Sequence, residues 1–414
     1  MSEYNDEFIE FPKDWEVKRL KELAKIIMGQ SPPSSAYNDK GQGLPFIQGS
    51  KDFGDIYPSI KTFTTICKKI APKDSILFSV RAPVGDINIS DREICIGRGI
   101  AAIVPYNKTD LLYLYYYLTY SAFKIKRYSS GTTFESIKER DLENFQIILP
   151  PLDERKKIVK ILNTVDTIII DTTNLIEKLK ILKEKTLNLL ITGKIWHKEF
   201  EDTKIGKIPK NWEIKRLKDV IIKAKSGGTP RTNVPEYWNG NISFAKAQDI
   251  TKSSKYLHNT EEFITEKGLE NSNAWIVPKD SLLLTIYGST LGFLAINKIP
   301  VATNQQIMGI IPNKNIVDIE FLYYWYLYFK PYWSRFIRKD TIPHLTHEIV
   351  LNSLIPIPPL EEQKKIAKIL STIDNKIETE TKYLDYMKKL KEKLLAALMT
   401  GKIRVNSISI GDLK

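Results

Sequence analysis

The chain has 414 residues, 62 Lys and Arg against 49 Asp and Glu, a formal net charge of +13 and 42% hydrophobic residues. That length is too great for one compact core and favours two domains or more, while the charge calls for an acidic partner: nucleic acid, an anionic membrane or an acidic protein. The basic excess is spread along the chain with no basic tail, which excludes a simple polycationic arm and requires any anion-binding surface to be made by folding.

At the start, Met1 to Glu10 is acidic and lacks the cationic opening and apolar run of a signal peptide. The longest apolar stretches, Leu111–Tyr120 and Phe321–Phe329, reach about half the length needed to span a bilayer. The expectation is a soluble, cytoplasmic protein with no membrane partner. Only Cys67 and Cys95 occur, without metal-ligand spacing, and they are expected to be plain core residues in a reducing compartment.

A first module opens at Pro12–Leu23, PKDWEVKRLKEL. Short β-type runs follow at Ile76–Val80 and Ile100–Val104, broken by Gly, Pro and Asn turns, then an aromatic-rich stretch at Leu111–Ala122 that predicts a buried helix. After Pro150-Pro151 comes a helical run of about forty residues, with Asp153 and Glu154 in its first turn and Gly193 as its C-cap. Its seam is Ile158, Leu162, Val165, Ile169, Thr172, Ile176, Leu179, Lys183, Thr186 and Leu190, spaced alternately four and three. Such a seam buries itself against another helix.

Everything then returns. PKNWEIKRLKDV at Pro209–Val220 matches the first opening, and β-type runs recur at Leu282–Ile286 and Ile307–Ile311. A second aromatic stretch, Glu320–Phe329, precedes PPLEEQKKIAKILSTID at Pro358–Asp374, which repeats PPLDERKKIVKILNTVD at Pro150–Asp166. LKEKLLAALMTGKI at Leu390–Ile403 repeats LKEKTLNLLITGKI at Leu182–Ile195. The second seam is Ile366, Leu370, Ile373, Ile377, Glu380, Leu384, Met387, Lys391, Leu394 and Leu398, in the same phase as the first. Two matched seams in one chain, separated by a domain, predict an antiparallel coiled coil between them. The reading is two similar α/β (α+β) modules, at 1–151 and 200–359, with spacer helices at 152–199 and at 360–414, the latter with a tail.

The residues supply little for catalysis. Gly193-Lys194 and Gly401-Lys402 lack the upstream glycine of a phosphate loop, and Gly97-Arg98-Gly99 leads into a strand-like run instead of a helix. Asn233-Val234-Pro235-Glu236-Tyr237 lacks the tandem prolines that amino-directed DNA methyltransferases carry after the amide. Pro72-Lys73-Asp74 and Pro278-Lys279-Asp280 read as repeated turns before strands, not as nuclease carboxylates. His344 and His347 read as surface histidines, because Ser136 and Glu139 replace them in the first copy. The expectation is a non-catalytic chain that holds no metal.

With both Pro-Pro-Leu-(Asp/Glu)-Glu helices, both Pro-Lys-(Asp/Asn)-Trp-Glu openings and Gly228-Thr229-Pro230 before Tyr237-Trp238 in hand, the sequence resembles a specificity subunit of a type I restriction-modification enzyme from about Phe11 to Arg404. The resemblance implies two target-recognition domains that read a bipartite asymmetric DNA site with a non-specific gap, and helices that space the domains and dock partners. It implies two methyltransferase subunits and two ATP-driven restriction subunits, adenine methylation, and S-adenosylmethionine, ATP and Mg confined to those partners, with no cofactor in this chain. The first copy departs from the pattern: Met28-Gly29-Gln30-Ser31-Pro32 stands where the second has Ser226-Gly227-Gly228-Thr229-Pro230, and Gly97-Arg98 where it has Asn304-Gln305.

Base readout needs Arg, Lys, Gln and Asn on protruding elements. Candidates are Gln48, Ser50, Lys51, Arg81 and Arg98 in the first module, and Lys246, Gln248, Lys252, Tyr287, Gln305 and Gln306 in the second. An RNA-binding scaffold and a protein-only coiled-coil adaptor are the rival readings. A helix of about forty residues makes a rod of roughly 60 Å. Two modules each reading roughly 3–4 base pairs about one helical turn apart then leave an unread gap of about 5–8 base pairs.

Overall fold

The computed structural model describes residues 11–129, 136–335 and 343–405. The chain divides into two compact units, one built from the residues up to Thr173 and from Lys382 onward, the other from Asn174–Thr381. Each unit therefore contains one of the two repeated modules, about half of one spacer helix and about half of the other.

In the first unit Glu16–Arg19 pairs antiparallel with Gln146–Leu149 and closes the module on itself. A four-stranded sheet runs in the order Ala24–Met28, Ile100–Pro105, Ile76–Ser79, Ile87–Ile89. A five-stranded sheet runs Tyr37–Asn38, Thr62–Thr64, Leu44–Ile47, Ile94–Ile96, Ile70–Ala71. Its central pair, Leu44–Ile47 with Ile94–Ile96, is parallel, with Phe46 facing Cys95. Strand alternation explains why the central runs are apolar throughout. Leu77, Ile100 and Ala102 join Ile47, Ile94 and Ile96 in one cluster; Ile76, Phe78, Ala101 and Ile103 turn the other way, onto Tyr113, Leu114 and Tyr116 of the aromatic helix Leu111–Ser129 and onto Ile158, Leu162 and Leu398.

The second unit repeats the plan. Glu213–Arg216 pairs with Leu354–Ile357, and the inner sheet is Ile221–Ser226, Ile307–Pro312, Leu282–Thr285, Leu294–Asn297, with Tyr256–Leu257 added at its edge. The outer sheet is Glu262–Ile264, Trp238–Ala245, Val301–Thr303, Ile276–Val277. Again one pair is parallel, Trp238–Ala245 with Val301–Thr303. Leu283 and Ile307 face the outer sheet's cluster, while Leu282, Leu284, Met308 and Ile310 face the aromatic helix Ile319–Phe329. The repeated Pro-Lys-Asp is a turn in both units: Asp74 and Asp280 have φ of 62° and 60°, and their N–H groups donate to Ser90 and Asn297 carbonyls.

The spacer helices are Leu152–Ile191 and Leu360–Met399, each of 40 residues. Every seam position is buried or half-buried. The pairing is antiparallel within each unit: Ile158 and Leu162 share a core with Leu395 and Leu398, and Leu187 and Leu190 share one with Ile366 and Leu370. These cores also hold the aromatic helices, so the seam's ends dock onto the modules as well as onto each other. The two seam lysines find carboxylates. Lys391 lies 2.5 Å from Asp166, which also accepts from Tyr116 Oη at 2.8 Å; Lys183 lies 2.6 Å from Asp374, which accepts from Tyr324 Oη at 2.6 Å. Burial pushes both tyrosine hydroxyls well above their usual range, so they stay donors to these carboxylates.

The three stretches that repeat most closely in sequence meet at one junction in each unit. Trp15 Nε1 donates to Glu154 Oε2 at 3.1 Å, and Trp212 Nε1 to Glu362 Oε2 at 3.3 Å. Gly401 and Gly193 end the helices at φ of +68° and +70°, and a Cβ there would stand 2.5 Å from Pro12 Cγ and 2.3 Å from Pro209 Cγ. The opening motif, the helix start and the Thr-Gly helix end are thus one construction. Gly401→Ala is expected to destabilise the chain by about 1–3 kcal/mol, from a left-handed backbone and a forced shift of Pro12. Calorimetry reads this as a lowered Tm, and an unchanged Tm would show that the junction tolerates the methyl group.

One expectation is corrected. Cys67 and Cys95 are joined by a disulfide, Cα–Cα 5.7 Å, across a sequence separation of 28. Ile70–Ala71 pairs antiparallel with Ile94–Ile96, Ile70 facing Cys95, and the preceding turn carries Cys67 back over its partner. Spacing alone held no sign of that register. The argument from unpaired thiols to a reducing compartment falls with it.

Candidate nucleic-acid interface

Part of the candidate set stands at equivalent points of the two units, where the paired parallel strands of the outer sheet end. In the first unit Gln48 follows Leu44–Ile47, and Gly97-Arg98 follows Ile94–Ile96. Ser31 Oγ donates to Gln48 Oε1 at 3.0 Å and accepts from Arg98 N at 3.2 Å. Glycine is required here by close approach: a Cβ on Gly29 would lie 2.2 Å from Gly97 O, and one on Gly99 would lie 2.5 Å from Gln48 O. Around this crossing is an open depression of about 430 Å³, whose lining includes Gln48, Lys51, Asp52, Thr62 and Arg98, with Tyr37 and Phe46 as its aromatic wall. Those two rings lie 4.7 Å apart.

Three of the five first-module candidates, Gln48, Lys51 and Arg98, are therefore brought together. Ser50 sits beside them on the short turn Ser50–Asp52. Arg81 does not line the depression; it follows Val80, whose N–H donates to Gly99 O at 2.9 Å, and it bridges to Ser136.

In the second unit Lys246 follows Trp238–Ala245, and Asn304-Gln305-Gln306 follows Val301–Thr303. Thr229, the counterpart of Ser31, donates to Gln305 Oε1 at 2.7 Å, and Asn304 Nδ2 donates to Gln306 Oε1 at 3.3 Å. The amide oxygens of Gln305 and Gln306 thus accept within the protein, as that of Gln48 does in the first unit, and the NH2 groups are the donors these glutamines can still supply. Such donors suit base acceptors such as purine N7, guanine O6 and thymine O4, and phosphate oxygens. Tyr287 occupies the position of Arg81: Ile286 N–H donates to Gln306 O at 2.8 Å, and the Tyr287 ring lies 5.8 Å from that of His344.

The second module's two candidate lysines are already paired. Lys246 contacts Glu262 and lies 5.9 Å from the Trp238 ring centroid. Lys252 contacts Glu261, whose hydrogen bond and charge hold its ammonium above the usual range. Gln248 is exposed on the helix Ala247–Lys252. As phosphate contacts, the two lysines would have to exchange a carboxylate for DNA.

Sequence reasoning missed Ser31, Tyr37, Asp52 and Thr62. Ser31 and Thr229 share one repeat position, and that was a usable signal; Tyr37 and Thr62 lie where the two copies show no resemblance. It also missed a buried network in the second unit. Lys255 Nζ donates to Glu320 Oε2 at 2.9 Å and Ser371 Oγ at 2.7 Å, and Tyr256 contacts Glu320 as well. Burial pushes the Lys255 ammonium down, and Glu320 pulls it back toward its charged form. This network ties the added edge strand to the aromatic helix and the second spacer helix. Among the described residues no group of three or more His, Cys, Asp or Glu could hold a metal ion, and no helix is long and apolar enough to cross a membrane.

Comparison with known proteins bears on both units. The family model for the type I restriction modification DNA specificity domain matches residues 12–181 and again 209–388. The type I restriction enzyme MjaVIII specificity subunit of Methanocaldococcus jannaschii is 29% identical over 408 residues, 96% of this chain and 95% of that protein. A second protein of that organism, provisionally named a type I restriction enzyme MjaX specificity subunit, is 47% identical over 189 residues, which is 45% of this chain and 44% of that one. Among solved structures, the S subunit of a type I restriction-modification system from M. genitalium has a TM-score of 0.64 at 18% identity, covering 96% of this chain and 98% of that one.

Proposed function

The chain belongs to the type I restriction modification DNA specificity family, and from that membership we propose that its two units read the two halves of a bipartite duplex-DNA site separated by an unread gap. One observation carries the reading. Both units present candidate readers at the ends of an equivalent parallel strand pair, beside a Ser or Thr at one repeat position, yet the residues differ: Gln48, Gly97 and Arg98 in one, Lys246, Asn304 and Gln305 in the other. A common scaffold with exchanged side chains is what two readers of different sequences require.

In this reading the chain performs no chemistry. A target adenine must leave the base stack to be methylated, and that pocket belongs to two methyltransferase subunits, with two restriction subunits added for cleavage. S-adenosylmethionine, ATP and Mg are their cofactors, and the assembly works in the cytoplasm. The RNA-scaffold alternative loses its support because Tyr113, Tyr116, Tyr324 and Tyr326 are buried core and not stacking platforms.

Exchanging residues 24–149 for the equivalent segment of a relative tests it. Mapping of methylated sites, with the partner subunits present, should show one half-site replaced and the other kept. A simultaneous change of both would show that the units do not read independently. The chain alone should transfer no methyl group from S-adenosylmethionine, and transfer by a partner-free preparation would assign chemistry to it.

A further inference from the structure

Asp52 stands out in the first unit's depression. It shares that volume with Lys51 and Arg98, yet its carboxylate makes no ion pair with either. It sits on the turn Ser50–Asp52, held by Phe53 N–H donating to Ser50 O at 3.0 Å and by Ser59 N–H donating to Asp52 O at 2.8 Å. At the equivalent point of the second unit, counting from the aligned strand ends, Ile250 takes the place of Asp52 and is buried, and Asp249 is turned inward to accept from Lys246 N and Glu261 N.

We propose that Asp52 is a specificity-determining residue of the first half-site, accepting a hydrogen bond from the exocyclic amino group of an adenine or cytosine. The inference rests on the bipartite reading above. On a surface that must approach phosphates a carboxylate is repulsive, so its presence weakens binding unless a donor on the DNA compensates. In the major groove those donors are adenine N6 and cytosine N4 amino groups; guanine O6 and thymine O4 present acceptors to the same position. Each base pair carries one amino and one keto base, so a carboxylate held there reads which strand bears the amino base. It selects by repulsion as well as by attraction. Gln48 and Arg98, converging on the same depression, supply the complementary donors for adjacent acceptors.

The test uses the full chain with its methyltransferase partners and maps methylated sites for the natural protein, Asp52→Asn and Asp52→Ala. In both variants one position of the first half-site should open to keto bases, with methylation at the formerly excluded sequences rising about tenfold to a hundredfold. The other positions, the gap and the second half-site should stay as they were. An unaltered motif in both variants overturns the proposal. So does loss of the whole first half-site, or of all methylation, in both, because Asp52 would then shape the domain and not one contact. If the complex carrying the natural chain methylates no bipartite motif, it is the underlying reading that fails.

Discussion

Glu154→Ala is expected to remove about 2–5 kcal/mol of stability, the cost of leaving the buried N–H donors of this junction without their acceptor. The Glu154 side chain is 1% exposed. It accepts from Trp15 Nε1 at 3.1 Å, from Arg404 Nε and Nη2 at 2.8 and 2.9 Å, and from the Val405 N–H at 3.4 Å. Donors from the opening motif and from the segment that follows the second spacer helix thus converge on one side chain from the start of the first. Arg404 keeps Asp14 when Glu154 is removed, but the indole and the Val405 amide have no other acceptor among the described residues. Glu154→Gln should cost less, because one oxygen still accepts. Glu362, the counterpart, is 15% exposed by side chain and accepts from His197 and Trp212, so Glu362→Ala should cost less than Glu154→Ala. Denaturant titration of the three variants measures the order. A loss below about 1 kcal/mol for Glu154→Ala would show that apolar packing, not the carboxylate, holds the junction.

That junction also shows what the sequence could and could not tell. The repeats of Trp15 and Trp212, of Glu154 and Glu362, and of Gly193 and Gly401 are visible in the chain as separate motifs. Nothing in their spacing says that they touch, because Trp15 meets Glu154 across a sequence separation of 139 and Trp212 meets Glu362 across 150. Helices were legible wherever periodicity was long: both spacer helices and both aromatic stretches lie where the seam and the apolar runs place them. The sheets were legible only as short apolar runs. Their pairing, and above all the single parallel pair in each outer sheet, is a long-range property with no local signature. The same limit applies to the candidate readers. Gln48 and Arg98 could be picked out as residue types, but that they line one depression depends on Phe46 pairing with Cys95, and Asp52 and Thr62 have no motif at all. The disulfide was missed for the same reason.

Lengthening both spacer helices by one heptad, after Thr172 and after Glu380, is expected to change the unread gap. Both insertion points lie on the seam, and seven residues keep it in phase while adding about 10 Å to each helix. Every described anchor survives. Asp166 and Lys391 stay together in one unit and Asp374 and Lys183 in the other, and the Trp15 and Trp212 junctions lie beyond the insertions. About 10 Å corresponds to about three base pairs along the duplex axis, so the preferred gap should grow by about that number. Three base pairs also turn the second half-site by roughly a third of a helical turn about the axis. If the units cannot follow that rotation, methylation is lost at every gap instead. Inserting the heptad in one helix alone should abolish activity, because the two seams then differ in length by two turns and one lysine–aspartate contact must break. Site mapping with the partner subunits distinguishes these outcomes, and an unchanged gap with full activity in the double insertion would show that the helices do not set the spacing.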